Sequence, residues 1–170
     1  MSKLNIDDLV SAFDTGGIER VAHLAERAYG AGEIDVLVAA LADREASVPA
    51  SWLLLSLMRD GGALTRAQAA ALVRLLPRVR ANDARLHLCQ SVAHLEVPKR
   101  SAEPLARFLR NAATDEHKFL RAWAVDGLYR LAQMHSEYRR ESRDLLDRAS
   151  RDPAASVRAR VRRIVREAGY

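Results

Sequence analysis

Apolar residues recur along this chain at intervals of three and four, the spacing that places side chains on one face of an α-helix. No segment alternates apolar and polar residues with the period of two that a half-buried strand requires. Glycine or proline interrupts the helical pattern at 29–33, 59–63 and 97–99, where helices are expected to end. The pattern therefore predicts an all-α protein. Its ten predicted helices span residues 4–13, 17–29, 33–43, 48–60, 65–77, 83–96, 101–113, 116–133, 138–150 and 154–168.

From residue 33 onward the predicted helices form pairs, and the pairs repeat. The position that opens each second helix is apolar, with separations of 36, 36 and 37 residues: Val48, Ala84, Leu120 and Val157. An apolar position in the first helix of each pair keeps the same separations: Leu37, Val73, Leu109 and Leu146. A helical pair alone leaves an apolar face uncovered, and stacking of successive pairs buries it. The repeat therefore predicts a helical solenoid.

The first of these second helices fits the repeat least well. Positions four, eight and eleven residues after the opening position are predicted to face the core, because they share one side of a helix. These positions are apolar in the last three second helices, but the first has Trp52, Ser56 and Arg59. The polar residues indicate a slip of one residue in the register of this helix.

An Asp-x-x-x-x-Val-Arg motif opens several second helices. Asp152 precedes Val157-Arg158, and Asp115 precedes Leu120-Arg121. The first pair keeps Asp43 but has a proline in place of the arginine, and the second pair keeps only the arginine. In this register the motif resembles the HEAT repeat.

The resemblance to HEAT repeats implies a right-handed α-α superhelix of about four helical hairpins, forming one continuous domain. The repeats would span 33–62, 63–98, 99–135 and 136–170, with residues 1–32 as an N-terminal helical cap. It also implies a structural ladder of acidic and basic side chains: Asp43, Arg85, Asp115, Arg121, Asp152 and Arg158.

In HEAT arrays the second helices line the concave face, so residues opposite their core side are candidates for binding a partner. These lie two, six and nine residues after the opening position, and eight of them are the partner-binding candidates: Leu54, Leu57, Leu86, Gln90, Asp126, Tyr129, Arg163 and Arg166. The predicted surface runs from apolar to basic, which favours a protein partner, since apolar anchors and arginine are frequent hot spots. An alternative remains open for Leu54 and Leu57. Both would be buried, either against the N-terminal cap or because the register of their helix slips.

Charge is unevenly distributed along the chain. Residues 1–96 carry ten basic and twelve acidic residues, whereas residues 97–170 carry seventeen and ten, a net charge of +7. Such asymmetry can indicate a nucleic-acid face, and this is the alternative function. A nucleic-acid groove should be basic along its whole length, however, and only one end of the predicted surface is. Two arginines of the last helix are treated separately. Arg162 is a polar residue at a position that suits the exposed end of a repeat array, and Arg160 has no assigned role.

Candidate catalytic and metal-binding residues are few. His87 and Cys89 point to nearly opposite sides of one helix, and His94 lies about 10 Å beyond His87, so one ion cannot collect all three. Alkylpurine DNA glycosylases built of HEAT-like repeats place an aspartate near aromatic residues on a basic face, as Asp126 and Trp123 would be here. A simpler role for Asp126 is an ion pair with Arg130, four residues later. We expect no enzyme activity, no metal and no cofactor.

Cys89 is the chain's single cysteine, so no internal disulfide forms and a reducing compartment is expected. The N-terminus lacks the pattern of a secretory signal, and no apolar run reaches the roughly 18 residues of a membrane span. We therefore expect a cytoplasmic, monomeric adaptor or scaffold that binds another protein. That partner is a peptide or a folded domain, with a toxin or effector among the candidates.

Overall fold

The structure is a computed structural model that describes residues 4–15, 17–30 and 33–169. Within these ranges the chain forms ten α-helices and no strand, which confirms the predicted all-α class. The helices are α1 (Ile6–Thr15), α2 (Gly17–Gly30), α3 (Ile34–Ala40), α4 (Ser47–Arg59), α5 (Arg66–Leu75), α6 (Asn82–Ser91), α7 (Lys99–Ala113), α8 (Lys118–Met134), α9 (Arg139–Ala149) and α10 (Ala155–Ala168). None of these helices is both long enough and apolar enough to cross a membrane.

Local hydrogen bonds explain several helix ends. α5 begins with a capping box in which Thr65 Oγ1 accepts from the Gln68 amide at 3.2 Å, and Gln68 Oε1 accepts from the Thr65 amide at 2.9 Å. His117 caps the start of α8, because its Nδ1 accepts from the Leu120 amide at 3.3 Å. α10 ends at Gly169, which has a left-handed φ of 73° that glycine adopts at little cost.

Contacts between helices follow the order of the pairs. The second helices contact one another in sequence: α4 with α6, α6 with α8, and α8 with α10. Among the first helices, α3 contacts α5, and α5 contacts α7. α1 and α2 contact each other, and both contact α4. The helices of the four predicted pairs are therefore α3 and α4, α5 and α6, α7 and α8, and α9 and α10.

Leucine and alanine fill the space between these helices. One cluster of buried residues extends from Leu4 to Tyr138, and a second, smaller cluster joins α8, α9 and α10. The largest fully buried side chains are all leucines: Leu9, Leu37, Leu41, Leu53, Leu54, Leu55, Leu72, Leu88, Leu105, Leu109, Leu120 and Leu128. Their burial, at about 25 cal/mol per Å² of apolar surface, is the main force that holds the helices together.

α4 turns a different side outward from the one predicted. Trp52 is 40% exposed and Arg59 is also exposed, although the equivalent positions of the next two repeats are buried. Leu54 and Leu57 are buried, so their prediction as exposed partner-binding residues was wrong, and the alternative of burial is what the structure shows. The difference exceeds a one-residue slip, because the exposed side is opposite to the predicted one. α1 and α2 contact this helix, and Tyr29 Oη donates to the Leu53 carbonyl oxygen at 2.7 Å.

Candidate partner-binding face

The outward sides of α4, α6, α8 and α10 supply the candidate site, which we call the second-helix face. Its exposed or half-exposed members are Trp52, Arg59, Leu86, Gln90, Tyr129, Arg130, Arg163 and Arg166. Arg59 Nη2 donates to Gln90 Oε1 at 3.1 Å, so α4 and α6 share this face. Five of the eight partner-binding candidates therefore lie on it.

Trp52 forms the aromatic end of the second-helix face. Its ring meets Phe13 of α1 edge-on, with ring centroids 5.6 Å apart and planes at 74°. This contact fixes the ring while leaving 40% of the residue exposed. The repeat register predicted that Trp52 lies in the core, and this register does not hold in α4. Ser56 and Arg59 are polar residues at predicted core positions, and they could have indicated that α4 is rotated about its axis.

α4 and α6 are also joined beneath the face. Ser51 Oγ and His87 Nδ1 are 3.0 Å apart, at positions separated by 36 residues. Burial lowers the pKa of His87, since a charged ring is poorly solvated there; nearby Asp83 opposes this effect, and Arg59 adds to it. Because Ser51 Oγ donates its hydrogen to the Val48 carbonyl oxygen at 2.9 Å, it accepts from His87 when Nδ1 carries the ring hydrogen.

Asp126 lies in the floor of the second-helix face between α8 and α10. Its side chain is only 5% exposed, with Oδ2 3.4 Å from Arg130 Nε and Oδ1 3.9 Å from Arg160 Nη1. The Arg160 guanidinium lies over the Trp123 ring, 3.5 Å from its centroid. The predicted ion pair with Arg130 is therefore present. The prediction that Asp126 contacts a partner was wrong, because its carboxylate is buried beneath these side chains.

Burial lowers the pKa of Arg160, while the charge of Asp126 acts in the opposite direction. The stacked Trp123 ring and the neighbouring carboxylate both favour the charged guanidinium. The sequence alone assigned no role to Arg160. Arg160 stands 37 residues after Trp123, which is one repeat length along the chain. The repeat could therefore have indicated that these two side chains lie on neighbouring helices and meet.

Glu167 balances further charge at the rim. It accepts from Arg163 Nε at 2.9 Å and also bonds Arg130 Nη2. Hydrogen bonds from these two arginines, Arg163 first, hold the pKa of the Glu167 carboxyl below its usual value. Two acidic side chains thus offset three arginines in this part of the face. Within the described ranges, Arg166 has no acidic partner.

The predicted ladder is present as two ion pairs. Arg85 Nη1 donates to Asp115 Oδ2 at 2.8 Å. Arg121 donates to both oxygens of Asp152, from Nε at 2.9 Å and from Nη2 at 3.0 Å. Each bond joins one helical pair to the next, and the four side chains are between 14% and 21% exposed. The ladder therefore fixes the spacing of the second, third and fourth pairs.

The ladder carboxylates also order their own turns. Asp115 Oδ1 accepts from the His117 amide at 2.9 Å, and Asp152 Oδ1 accepts from the Ala154 amide at 2.8 Å. The pKa of Asp115 is lowered mainly by its backbone bond and then by Arg85, whereas that of Asp152 is lowered mainly by Arg121.

The ends of the ladder differ from its middle. Asp43 Oδ1 accepts from the amides of Glu45 and Ala46, both at 2.9 Å, and no arginine of the described chain pairs with it. Arg158 donates to the carbonyl oxygens of Asp152 and Pro153, so it contacts the ladder only through the backbone.

The chemistry available to this face is recognition by charge and aromatic contact. Over the described residues, no three His, Cys, Asp or Glu side chains are placed to hold a metal ion. Cys89 is buried, and burial raises the pKa of its thiol well above the ordinary value. The fold and the face together define an all-helical protein with an exposed row of aromatic, amide and arginine side chains. No protein-family model, curated protein or solved structure matches this chain.

Proposed function

We propose that this protein is a HEAT-like helical solenoid that binds another protein on the second-helix face and catalyses no reaction. Three observations support the solenoid: the repeat of 36 or 37 residues, the sequential contacts among second helices, and the two ladder ion pairs. The fold would then be a right-handed superhelix, with α1 and α2 as its cap.

The observation that carries the binding function is the aromatic and arginine composition of a face whose side chains are already held in place. Trp52 is fixed by Phe13, Arg59 by Gln90, and Arg130 by its two acidic partners. Tryptophan, tyrosine and arginine are the residue types most enriched at binding hot spots. A face that is ordered before binding loses less entropy when a partner docks.

Charge balance on this face favours a protein over a nucleic acid. Binding to nucleic acid draws its affinity from cations that neutralise phosphates along the strand. Arg130, Arg160 and Arg163 are paired with Asp126 or Glu167, so two carboxylates already offset much of their charge. The α4 end of the face adds an aromatic ring and an arginine that is bonded to an amide, which suits a partner of mixed polarity.

Site-directed photo-crosslinking tests this proposal in the native cell. A photoreactive phenylalanine analogue replaces Gln90 or Tyr129 on the face, and Arg74, an exposed residue of α5, is the matched control. We expect the two face positions to crosslink to the same protein, identified by mass spectrometry, and the control position not to. The identified protein then shows whether the partner is a peptide segment, a folded domain, a toxin or an effector.

Trp52→Ala provides the quantitative arm of the same experiment. Removing an aromatic side chain at a hot spot costs about 2 kcal/mol or more of binding free energy. The affinity for the partner should therefore fall by roughly thirtyfold, while the helical circular dichroism signal is unchanged. Leu54→Asp is unsuitable, because Leu54 is fully buried and the change would unfold α4. Equal crosslinking from Arg74 and Gln90, or full capture by Trp52→Ala, would exclude the second-helix face as the binding site.

A further inference from the structure

Arg121 shows how one helical pair receives the next. Its Nη1 donates to the carbonyl oxygens of Asp115 and Glu116, at 2.8 and 2.9 Å, in the turn before its own helix. With the guanidinium held in this way, Nε and Nη2 project together and bind both carboxylate oxygens of Asp152. The backbone bonds orient the arginine, and the following pair supplies the carboxylate.

Arg158 repeats the first half of this arrangement. It stands 37 residues after Arg121, and its Nη1 donates to the carbonyl oxygens of Asp152 and Pro153 at 2.6 and 2.8 Å. These are the same two positions of the turn that Arg121 uses. None of the described residues accepts a hydrogen bond from Arg158 Nε or Nη2. The Nε and Nη2 groups, which bind a carboxylate in the preceding pair, are thus oriented here but have no carboxylate to bind.

The side of α10 around Arg158 corresponds to the side of α8 that contacts the following pair. In α8 this side includes Ala122, Val125 and Tyr129, which belong to one buried cluster with Val157 and Val161 of α10. The corresponding residues of α10, again 37 positions later, are all exposed: Ala159, Arg162 and Arg166. Val165, on the same helix, is 37% exposed.

This side of α10 therefore combines three cations with a small apolar surface. Arg158, Arg162 and Arg166 form no ion pair within 4.0 Å among the described residues, although the charge of Arg158 acts on the carboxylate of Asp152. Arginine replaces the apolar residues that the equivalent side of α8 uses for packing. A neutral apolar partner would leave these charges unpaired and desolvated, which is costly, whereas an acidic partner would pair them.

We propose that the α10 side carrying Arg158, Arg162 and Arg166 is a docking surface for an acidic segment of another protein. An Asp or Glu carboxylate of that segment accepts two parallel hydrogen bonds from Arg158 Nε and Nη2, as Asp152 does from Arg121. Further acidic residues meet Arg162 and Arg166, and the apolar atoms of the segment cover Ala159 and Val165. This surface shares only Arg166 with the second-helix face and is centred on Arg158 and Arg162, which lie outside that face, so the two proposals are tested by different variants.

Fluorescence anisotropy with a defined peptide tests this docking surface. The probe is a labelled peptide of about 16 residues that opens with Asp-Pro-Ala-Ala, the order found at 152–155, and continues with glutamate and alanine. A second peptide carries Asn and Gln in place of every acid. We expect the full chain to bind the acidic peptide only, and more weakly at about 200 mM than at about 50 mM salt.

Two variants and a matched control locate the binding. Arg158→Lys keeps the charge but cannot form the two parallel bonds, and we expect it to weaken binding by about tenfold. Arg162→Glu changes an exposed residue that makes no contact needed for folding, and should abolish binding. Arg74→Gln on α5 removes one exposed positive charge elsewhere and should bind like the wild type.

Several results would overturn the docking surface. Absence of binding to the acidic peptide, or equal weakening by Arg74→Gln, would show that Arg158 is not a specific receptor for carboxylates. Tighter, Arg158-dependent binding of a single-stranded oligonucleotide would assign the surface to nucleic acid. Self-association in sedimentation that Arg162→Glu abolishes would make a second copy of this chain the occupant instead.

Discussion

The ladder pair of Arg121 and Asp152 gives the sharpest test of how the helical pairs are held together. The perturbation is Asp152→Asn, which removes the charge and one strong acceptor while keeping the size of the side chain. Asp152 accepts three hydrogen bonds, two from Arg121 and one from the Ala154 amide. The amide oxygen of asparagine can keep the backbone bond, but its NH₂ group cannot accept from the guanidinium.

The expected loss of stability follows from burial. A net hydrogen bond to a charged group contributes about 1.5–3 kcal/mol, and breaking a fully buried pair costs about 3–5 kcal/mol. Exposed pairs contribute only about 0–1 kcal/mol. The Arg121 and Asp152 side chains are 17% and 14% exposed, closer to the buried limit. We therefore expect Asp152→Asn to cost about 2–3 kcal/mol, which lowers Tm by about 4–12 °C for a chain of this length.

A double-mutant cycle isolates the pair from other effects. Urea unfolding followed by circular dichroism gives the free energy of unfolding for Arg121→Gln, Asp152→Asn and the double variant. The matched control is the pair of Arg66 and Glu96, which is 3.4 Å apart with side chains 82% and 78% exposed. We expect a coupling energy above about 1 kcal/mol for the ladder pair and below about 0.5 kcal/mol for the control.

Acid adds a second, independent readout. The folded-state pKa of Asp152 is lower than its unfolded value, so the unfolded chain binds the proton first as pH falls. The stabilisation from this carboxylate is complete above its unfolded pKa of about 4 and is lost as pH falls through the folded value. Asp152→Asn should therefore lose less stability than the wild type between about pH 5 and pH 2.

Equal coupling in the buried ladder pair and the exposed control pair would refute this reasoning. So would identical acid sensitivity of Asp152→Asn and the wild type. Either result would mean that apolar packing alone holds the pairs together and that the ladder only accompanies it.

Two further predictions concern buried polar groups. Cys89 is 1% exposed, and burial raises the pKa of its thiol. In the native state at about pH 8, its reaction with a disulfide reagent should therefore be at least about a hundredfold slower than in denaturant. Prompt labelling of the native protein would contradict the structure. Asp126→Asn removes the carboxylate that faces Arg130 and Arg160. We expect it to lower the free energy of unfolding, measured by urea titration, by about 1–3 kcal/mol. The control Asp144→Asn, on the exposed side of α9, should lower it by less than about 0.5 kcal/mol. Equal losses for the two aspartates would show that Asp126 is not held by its arginines.

Helix positions were predictable from the sequence, because apolar spacing and the glycine and proline stops both act locally. The ladder was predictable for a different reason: its residues recur in one register, so Arg85 and Arg121 stood at equivalent places before any contact was known. The same register could have found the stacking of Arg160 on Trp123. Repetition thus carried information about contacts between distant residues that composition alone does not hold.

The outward side of α4 was not predictable from the repeat. Four of the residues from 53 to 57 are leucines, so apolar spacing no longer distinguishes one side of this helix from another. The contacts with α1 and α2 then decide which leucines are buried and leave Trp52 exposed. The burial of Asp126 was hidden for a related reason, since it depends on a stacked arginine and tryptophan from two different helices.

The ladder gives the stack of helical pairs a direction. Each arginine donates forward to the aspartate of the following pair, so a row of such pairs has an acceptor at one end and a donor at the other. Asp43 occupies the acceptor position of the first pair but bonds only backbone amides of its own turn, and α1 and α2 contact the helix that follows it. Arg158 is that donor, and no described residue covers it. If stacking were held by apolar contact alone, this side of α10 would differ from the others only in shape. With the ladder it also presents an oriented guanidinium without a carboxylate, which is what attracts an acidic partner to it.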